Sequence, residues 1–267
     1  MLLGTAGIRD VVCRYANITR EGKKLSFYHN GQAKSSACDV EVLAGQVQRS
    51  ASNEISLELL EKLITLEAGR RQIEIELLNE GIIDTGSMGF IPQYHLDTGN
   101  TCPFVPTPFL NAVRTFLMVE CFKPRNNNVV DLGSGLGIPT FVAQLCGFQA
   151  TGIELNSDLH QAATHLAGIF PGLPELRQTQ IVSADFRKFN LAAFGIVYAY
   201  LWDNCLQLDV MQRTLDRLPE GTIVITYGLN SIRLDDPMRK QCDDKRNLLP
   251  IFTEETDALR RLRFHQI

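Results

Sequence analysis

The chain has 267 residues, 45% hydrophobic and 21% charged, the balance of a soluble globular protein with one large domain or one domain plus an extension. Its net charge of −4 supplies no global positive field for nucleic acid or an anionic membrane, and no segment reaches the roughly 18 apolar residues that span a bilayer. Seven scattered cysteines without a CxxC pair exclude a disulfide framework and a zinc site, and imply reduced thiols in an intracellular, cytoplasmic protein.

In chain order, the opening "MLLGTAGIRDVV" is too short in its apolar run to be a secretion signal, and Arg9-Asp10 interrupts it. The first fifty residues read as short strands and turns, with β-leaning runs at "VVCRYANI" and "KKLSFYH" and a turn at Asn30-Gly31. Helical spacing of Leu59, Leu60, Leu63 and Leu66 predicts a helix from about Asn53 to Asn79, with Gly81 beyond its end and Gly69 able to split it. Residues 82–109 are rich in Gly, Pro and Thr and read as a long connection. A helix follows from Phe109 to Phe122, stopped before Pro124. Residues 1–95 are therefore expected to be an α+β extension, a packing element, lid or recognition module. Residues 96–267 are expected to form the main domain.

From Val129 onward strands and helices alternate. Strands at "NVVDL", "ATGIEL", "TQIVSAD", "IVYAYL" and "TIVITYG" are separated by helices at Pro139–Cys146, Asp158–Ile169 (capped by Ser157) and Asp209–Leu218. "LLPIF" and "LRFHQI" are further strands that suit an antiparallel edge. The fold class is α/β: a doubly wound, mostly parallel seven-strand sheet with helices on both faces. His160 and His165 are five apart, point to different faces of their helix and read as solvated, and no metal site is expected.

In such a sheet ligands bind beyond the carboxyl ends of the strands, at the switch point where strand order reverses. "VVDLGSGLGIPTF" lies there. Gly133, Gly135 and Gly137 give G-x-G-x-G, and the third position of the dinucleotide fingerprint falls on Ile138. Asp131 precedes the glycines, where it would accept hydrogen bonds from loop amides or from a cationic amine. A carboxylate beside a pyrophosphate would repel it.

"VVDLGSGLG" resembles the first motif of class I S-adenosylmethionine-dependent methyltransferases, D/E-x-G-x-G-x-G. The resemblance implies that Asp131, Gly133, Ser134, Gly135 and Gly137 hold the amino-acid end of S-adenosyl-L-methionine. Glu154 and Leu155, ending the next strand, would meet the ribose, and Asp185 and Phe186, ending the third, the adenine.

Ahead of that motif stands "CPFVPTP". It looks like the P-[FY]-V-P-T/S-P element of a family of seven-strand lysine methyltransferases that includes the enzymes acting on the ATP synthase c subunit and the adenine nucleotide translocase. The similarity extends through "DLGSG", "GIELN", "YAYL" and "LPEGTIVITYG". It departs at Leu136, where relatives place an acid, and at Trp202-Asp203, where their fourth strand ends Leu-Pro.

The resemblance implies methyl transfer to a lysine on a protein partner, with Thr107 near the methionine end and Phe104 and Pro106 walling an acceptor channel. Tyr200, Trp202 and Asp203, after the fourth strand, are the catalytic candidates: two aromatic walls that disfavour an ammonium, and a carboxylate that orients the amine or takes its proton. Small-molecule or RNA methylation, or a non-catalytic cofactor-binding partner subunit, are the alternatives. Trp202 also reads as strand-end packing and Asp203 as a helix N-cap.

Overall fold

A computed structural model describes residues 6–21, 24–29, 32–35, 40–49, 55–81, 91–95, 101–104, 107–119, 122–170, 172–200, 214, 217–227 and 262–266. The first described element is a helix, α1 (Ala6–Val12), where the sequence predicts the start of a strand. Val11 and Val12 favour β structure in isolation, but with Ile8 they form an i, i+3, i+4 stripe that is fully buried. Strands β1 (Tyr15–Glu21), β2 (Lys24–His29) and β3 (Gln32–Ser35) make an antiparallel meander. A helix unforeseen in the sequence, α2 (Val40–Arg49), follows.

Helix α3 (Leu57–Asn79) runs unbroken through Gly69, which is buried. Ser56 caps it by accepting the Leu59 N–H at 3.2 Å. The expected connection at 82–109 contains a two-stranded antiparallel pair, β4 (Ile91–His95) and β5 (Thr101–Phe104), before α4 (Phe109–Val119).

The main sheet runs β11-β10-β9-β6-β7-β8, with β6 (Asn128–Leu132), β7 (Gln149–Glu154), β8 (Gln180–Ser183), β9 (Ile196–Tyr200) and β10 (Ile223–Tyr227) all parallel. Strand β11 (Leu262–Gln266) pairs antiparallel with β10, as the edge position of "LRFHQI" predicts. Six strands are described where seven are expected. The strand at "LLPIF" and most of the helix expected at 209–218 lie outside the described residues.

Helices α5 (Ile138–Leu145) and α6 (Ser157–Ile169) follow β6 and β7. The cap of α6 is Asn156 rather than Ser157: its side chain accepts the N–H groups of Asp158 and Leu159 at 3.0 Å each. Chain order leaves β6 toward β7 and β8 on one side, then returns to β9 and β10 on the other, so the switch point lies between β6 and β9.

Alternate residues of each strand supply two cores. Val129, Ile196 and Ile223 face a cluster shared with α1, α3, α4, α5 and α6. Val130, Val197 and Val224 face a second cluster with Leu191 and Leu218. Burial on both faces explains the continuous apolar strands. The first cluster also contains Ile8, Val47 and Leu63, so the N-terminal helices and the sheet share one core. Ion pairs Arg9–Asp158 (2.8 Å) and Lys62–Glu175 (2.6 Å) cross the same boundary. No described helix is long and apolar enough to cross a membrane.

Candidate functional site

The glycine turn joins β6 to α5. Gly133, Gly135 and Gly137 all have positive φ, 72°, 56° and 78°. An L-side chain there costs roughly 1–2 kcal/mol per residue. At Gly137 a Cβ would also stand 2.9 Å from the Phe141 ring, so glycine is required twice over. The turn is laced to the next strand: the N–H groups of Gly133 and Ser134 both donate to the Ile153 carbonyl, at 2.9 and 3.0 Å.

Two carboxylates bracket the turn on the same sheet face, and both are 2% exposed. Asp131 is the penultimate residue of β6, beside the first turn of α5. Its Oδ2 accepts the Thr140 hydroxyl at 2.8 Å, and the Thr140 N–H assists. Burial outweighs those bonds, and the Glu154 charge adds to it, so the Asp131 carboxyl is pushed up to about 7.

Glu154 ends β7. Its Oε2 accepts the Gly135 N–H at 2.8 Å and its Oε1 the Asn156 N–H at 2.8 Å. Burial raises this group too, while the amides of Asn156, Gly135 and Leu155 oppose the rise. The turn amide at Gly135 thus goes to Glu154, and the amide that serves Asp131 comes from the helix. Leu155 is 37% exposed, one of two exposed large hydrophobic residues among those described.

Ser134 is buried, and its hydroxyl has no hydrogen-bond partner among the described residues. It occupies the space a side chain would take at Gly152, whose Cβ would fall 2.7 Å from Ser134 Oγ. Gly152 and Thr140 are thus part of the site's frame that sequence reasoning missed. A glycine inside the strand "ATGIEL" is a signal of close approach; nothing in the sequence marks Thr140. Leu136 is buried in the first core with Ile138 and Phe141. An acid there would be buried in that apolar cluster, which accounts for leucine at this position.

At the end of β8, Asp185 is held by Arg187: Nε donates to Oδ1 at 2.7 Å, Nη2 to Oδ2 at 2.6 Å, and the Arg187 N–H to Oδ1 at 3.0 Å. Those bonds hold its carboxyl below the usual range. Phe186, between them, packs against the second core.

Thr107 is buried before α4, and the Tyr198 hydroxyl approaches its Oγ1 to 3.5 Å. Tyr198 pairs with Asp131 in the β6–β9 register. Tyr200, at the end of β9, is half-buried against the first core. Phe104 lies on β5, and Pro106, Trp202 and Asp203 lie outside the described residues. His160 is half-buried, and its Nε2 lies 3.0 Å from the Ile181 carbonyl. No group of three metal-binding side chains occurs among the described residues.

No protein-family model and no curated protein sequence matches the chain. Solved structures similar to it include an RNA methyltransferase from Salinibacter ruber in complex with S-adenosyl-L-homocysteine, at 24% identity over 46% of this chain and 77% of that one, with a TM-score of 0.37. Another is the CcbJ methyltransferase from Streptomyces caelestis, at 21% identity over 45% of this chain and 52% of that one, TM-score 0.37. A third is the glycopeptide N-methyltransferase MtfA complexed with S-adenosyl-L-methionine, at 21% identity over 49% of this chain and 58% of that one, TM-score 0.38. The chain thus spans little more than half the length of the latter two. Likeness of this degree makes no statement about chemistry, which rests on the residues above.

Proposed function

We propose that the chain binds S-adenosyl-L-methionine at the β6–α5 turn and transfers its methyl group to an amine, the side chain of a lysine on a protein partner. The observation that carries the cofactor reading is the pair of buried carboxylates, Asp131 and Glu154, bracketing three positive-φ glycines at the switch point. Burial of Asp131, with no cation bonded to it among the described residues, favours its neutral form. A ligand ammonium beside it supplies the missing charge. The Ser134 hydroxyl, unpartnered among the described residues, and the Cβ-free turn fit close approach by that same end of a ligand.

The group supplies an electrophilic methyl on a sulfonium, displaced in line by the acceptor nitrogen. The chain's part is alignment and exclusion of water. Asp131 orients the ammonium, Glu154 fixes the turn, and exposed Leu155 offers an apolar surface to a ring. A lysine has an ordinary pKa of about 10.4 and attacks only when neutral. Tyr200, half-buried at the end of β9, would wall such an amine from water. The lysine acceptor is supported by the "PFVPTP" resemblance, whose Thr107 packs against Tyr198 in register with Asp131. The proposed partner is a protein presenting a lysine.

Calorimetry with S-adenosyl-L-methionine, S-adenosyl-L-homocysteine and NAD tests the cofactor: binding of the first two and not the third is expected. Labelled methyl transfer offered to a peptide library, a metabolite pool and RNA then tests the acceptor. Label in lysine peptides is expected; label only in RNA or metabolites defeats the lysine reading. Label nowhere, despite binding, makes the chain a partner subunit.

A further inference from the structure

The Asp185–Phe186–Arg187 unit after β8 carries more than a cap: Asp185 is the N-cap of the short 3-10 turn, for which the Arg187 N–H alone suffices. Arg187 closes on Asp185 with its side-chain fork, engaging both carboxylate oxygens, and adds its own N–H. Phe186 is anchored in the second core and holds the short 3-10 turn (Phe186–Lys188) to the sheet. Next door, β7 pairs with β8 as far as Glu154 and Ser183, and the Ala184 N–H donates to the Glu154 carbonyl at 3.1 Å. Exposed Leu155 and held Asp185 therefore follow directly on two paired strand ends.

An exposed apolar side chain beside a fixed acceptor suits a planar base with an amino group on its edge. The ring face would meet Leu155, and the amine would donate to a carboxylate lone pair beyond the three that the Arg187 donors engage. A bidentate fork fixes the carboxylate's plane as well as its position.

We infer that Arg187 is a positioning residue for base recognition: it orients the Asp185 carboxylate so that the site selects an adenine amino group over an oxygen at the same place. This rests on the cofactor reading above, and concerns which base the site accepts, not whether the cofactor binds. Arg187 acts only through Asp185.

The test compares the affinity of the full chain for S-adenosyl-L-homocysteine and for its inosine counterpart, which carries oxygen in place of the amino group. Wild type is expected to prefer the adenine ligand. Arg187→Ala is expected to lower that preference by roughly two- to tenfold, the worth of one oriented hydrogen bond. Arg187→Lys, which keeps the charge and loses the fork, is expected to fall between. Adding Arg187→Ala to Asp185→Asn is expected to change the preference no further.

Arg187 is partly exposed, so the variants are expected to fold. If the alanine variant does not, the lysine variant decides. A preference unchanged in whichever variant folds, even with weaker overall affinity, overturns the proposal and leaves Arg187 a structural partner. Equal wild-type affinity for the two ligands overturns it while sparing the cofactor reading. Failure of wild type to bind either ligand overturns the cofactor reading itself.

Discussion

The two ends of the central sheet are built differently. At the amino ends of the strands, side-chain donors to backbone carbonyls lace the loops together. Asn126 and Asn128 side chains donate to the Ala193 carbonyl at 3.2 and 3.3 Å, and Arg125 donates to the carbonyls of Ala192 and Phe194. The backbone of Gly195 lies so close to Asn126 that a Cβ would fall 2.3 Å from its carbonyl oxygen. At the carboxyl ends, two carboxylates are buried, a serine hydroxyl has no partner among the described residues and an apolar side chain is exposed. One end spends its contacts on holding strands in register. The other buries the carboxyls of Asp131 and Glu154 with no cation hydrogen-bonded to either among the described residues, an arrangement that stability alone does not favour.

This contrast makes opposite predictions for substitutions at the two ends. The largest effect is expected from Gly195→Ala, because backbone atoms cannot yield to the new side chain. Chemical denaturation should register a loss of about 3 kcal/mol, with ligand affinity retained in whatever remains folded. Asp131→Ala should do the reverse: calorimetry should find S-adenosyl-L-methionine binding abolished, while the melting temperature holds. Unchanged binding there, or in Gly133→Arg, would sink the assignment of the turn. Glu154→Ala is expected to be mixed. It strands the N–H groups of Gly135 and Asn156, costing about 1–3 kcal/mol, and it weakens cofactor affinity without creating affinity for NAD.

The pH dependence sharpens the same contrast. Asp131 has a folded pKa of about 7 against an ordinary 3.8, so the folded chain binds the extra proton. Its contribution to stability is full below pH 3.8 and is lost as pH rises through about 7. Glu154 shifts in the same direction. Denaturation measured across that window should therefore lose stability with rising pH from this site, and Asp131→Asn should flatten the Asp131 part of the slope. The smallest effect is expected at the amino end: Arg125→Ala removes exposed bonds to carbonyls and should cost about 1 kcal/mol without moving ligand affinity.

Much of this arrangement is legible in the sequence because it depends on short-range rules. Apolar β-branched runs, glycines at turn positions and acids at strand ends place β6, β7 and the turn between them. What is misread is decided by contacts distant in sequence. Val11 and Val12 form a helix because α1 lies against the main core, and α3 runs unbroken through Gly69, which is buried. A helix at Val40–Arg49 escapes notice among residues read as strands and turns. Leu136 looks like a lost acid until its side chain is found in the core with Phe141.

The sequence by itself determined the alternation of strands and helices, the switch-point turn and the identity of its acids, since periodicity and backbone sterics act within a few residues. Only the tertiary structure decided which amide each acid receives, that Thr140 serves Asp131, that Ser134 stands over Gly152 and that Arg187 grips Asp185. Those pairings depend on how closely neighbouring strands and the first turns of their helices approach, and on the burial that raises a carboxylate's affinity for a proton. Neither distance nor burial is written in the spacing of residues along the chain.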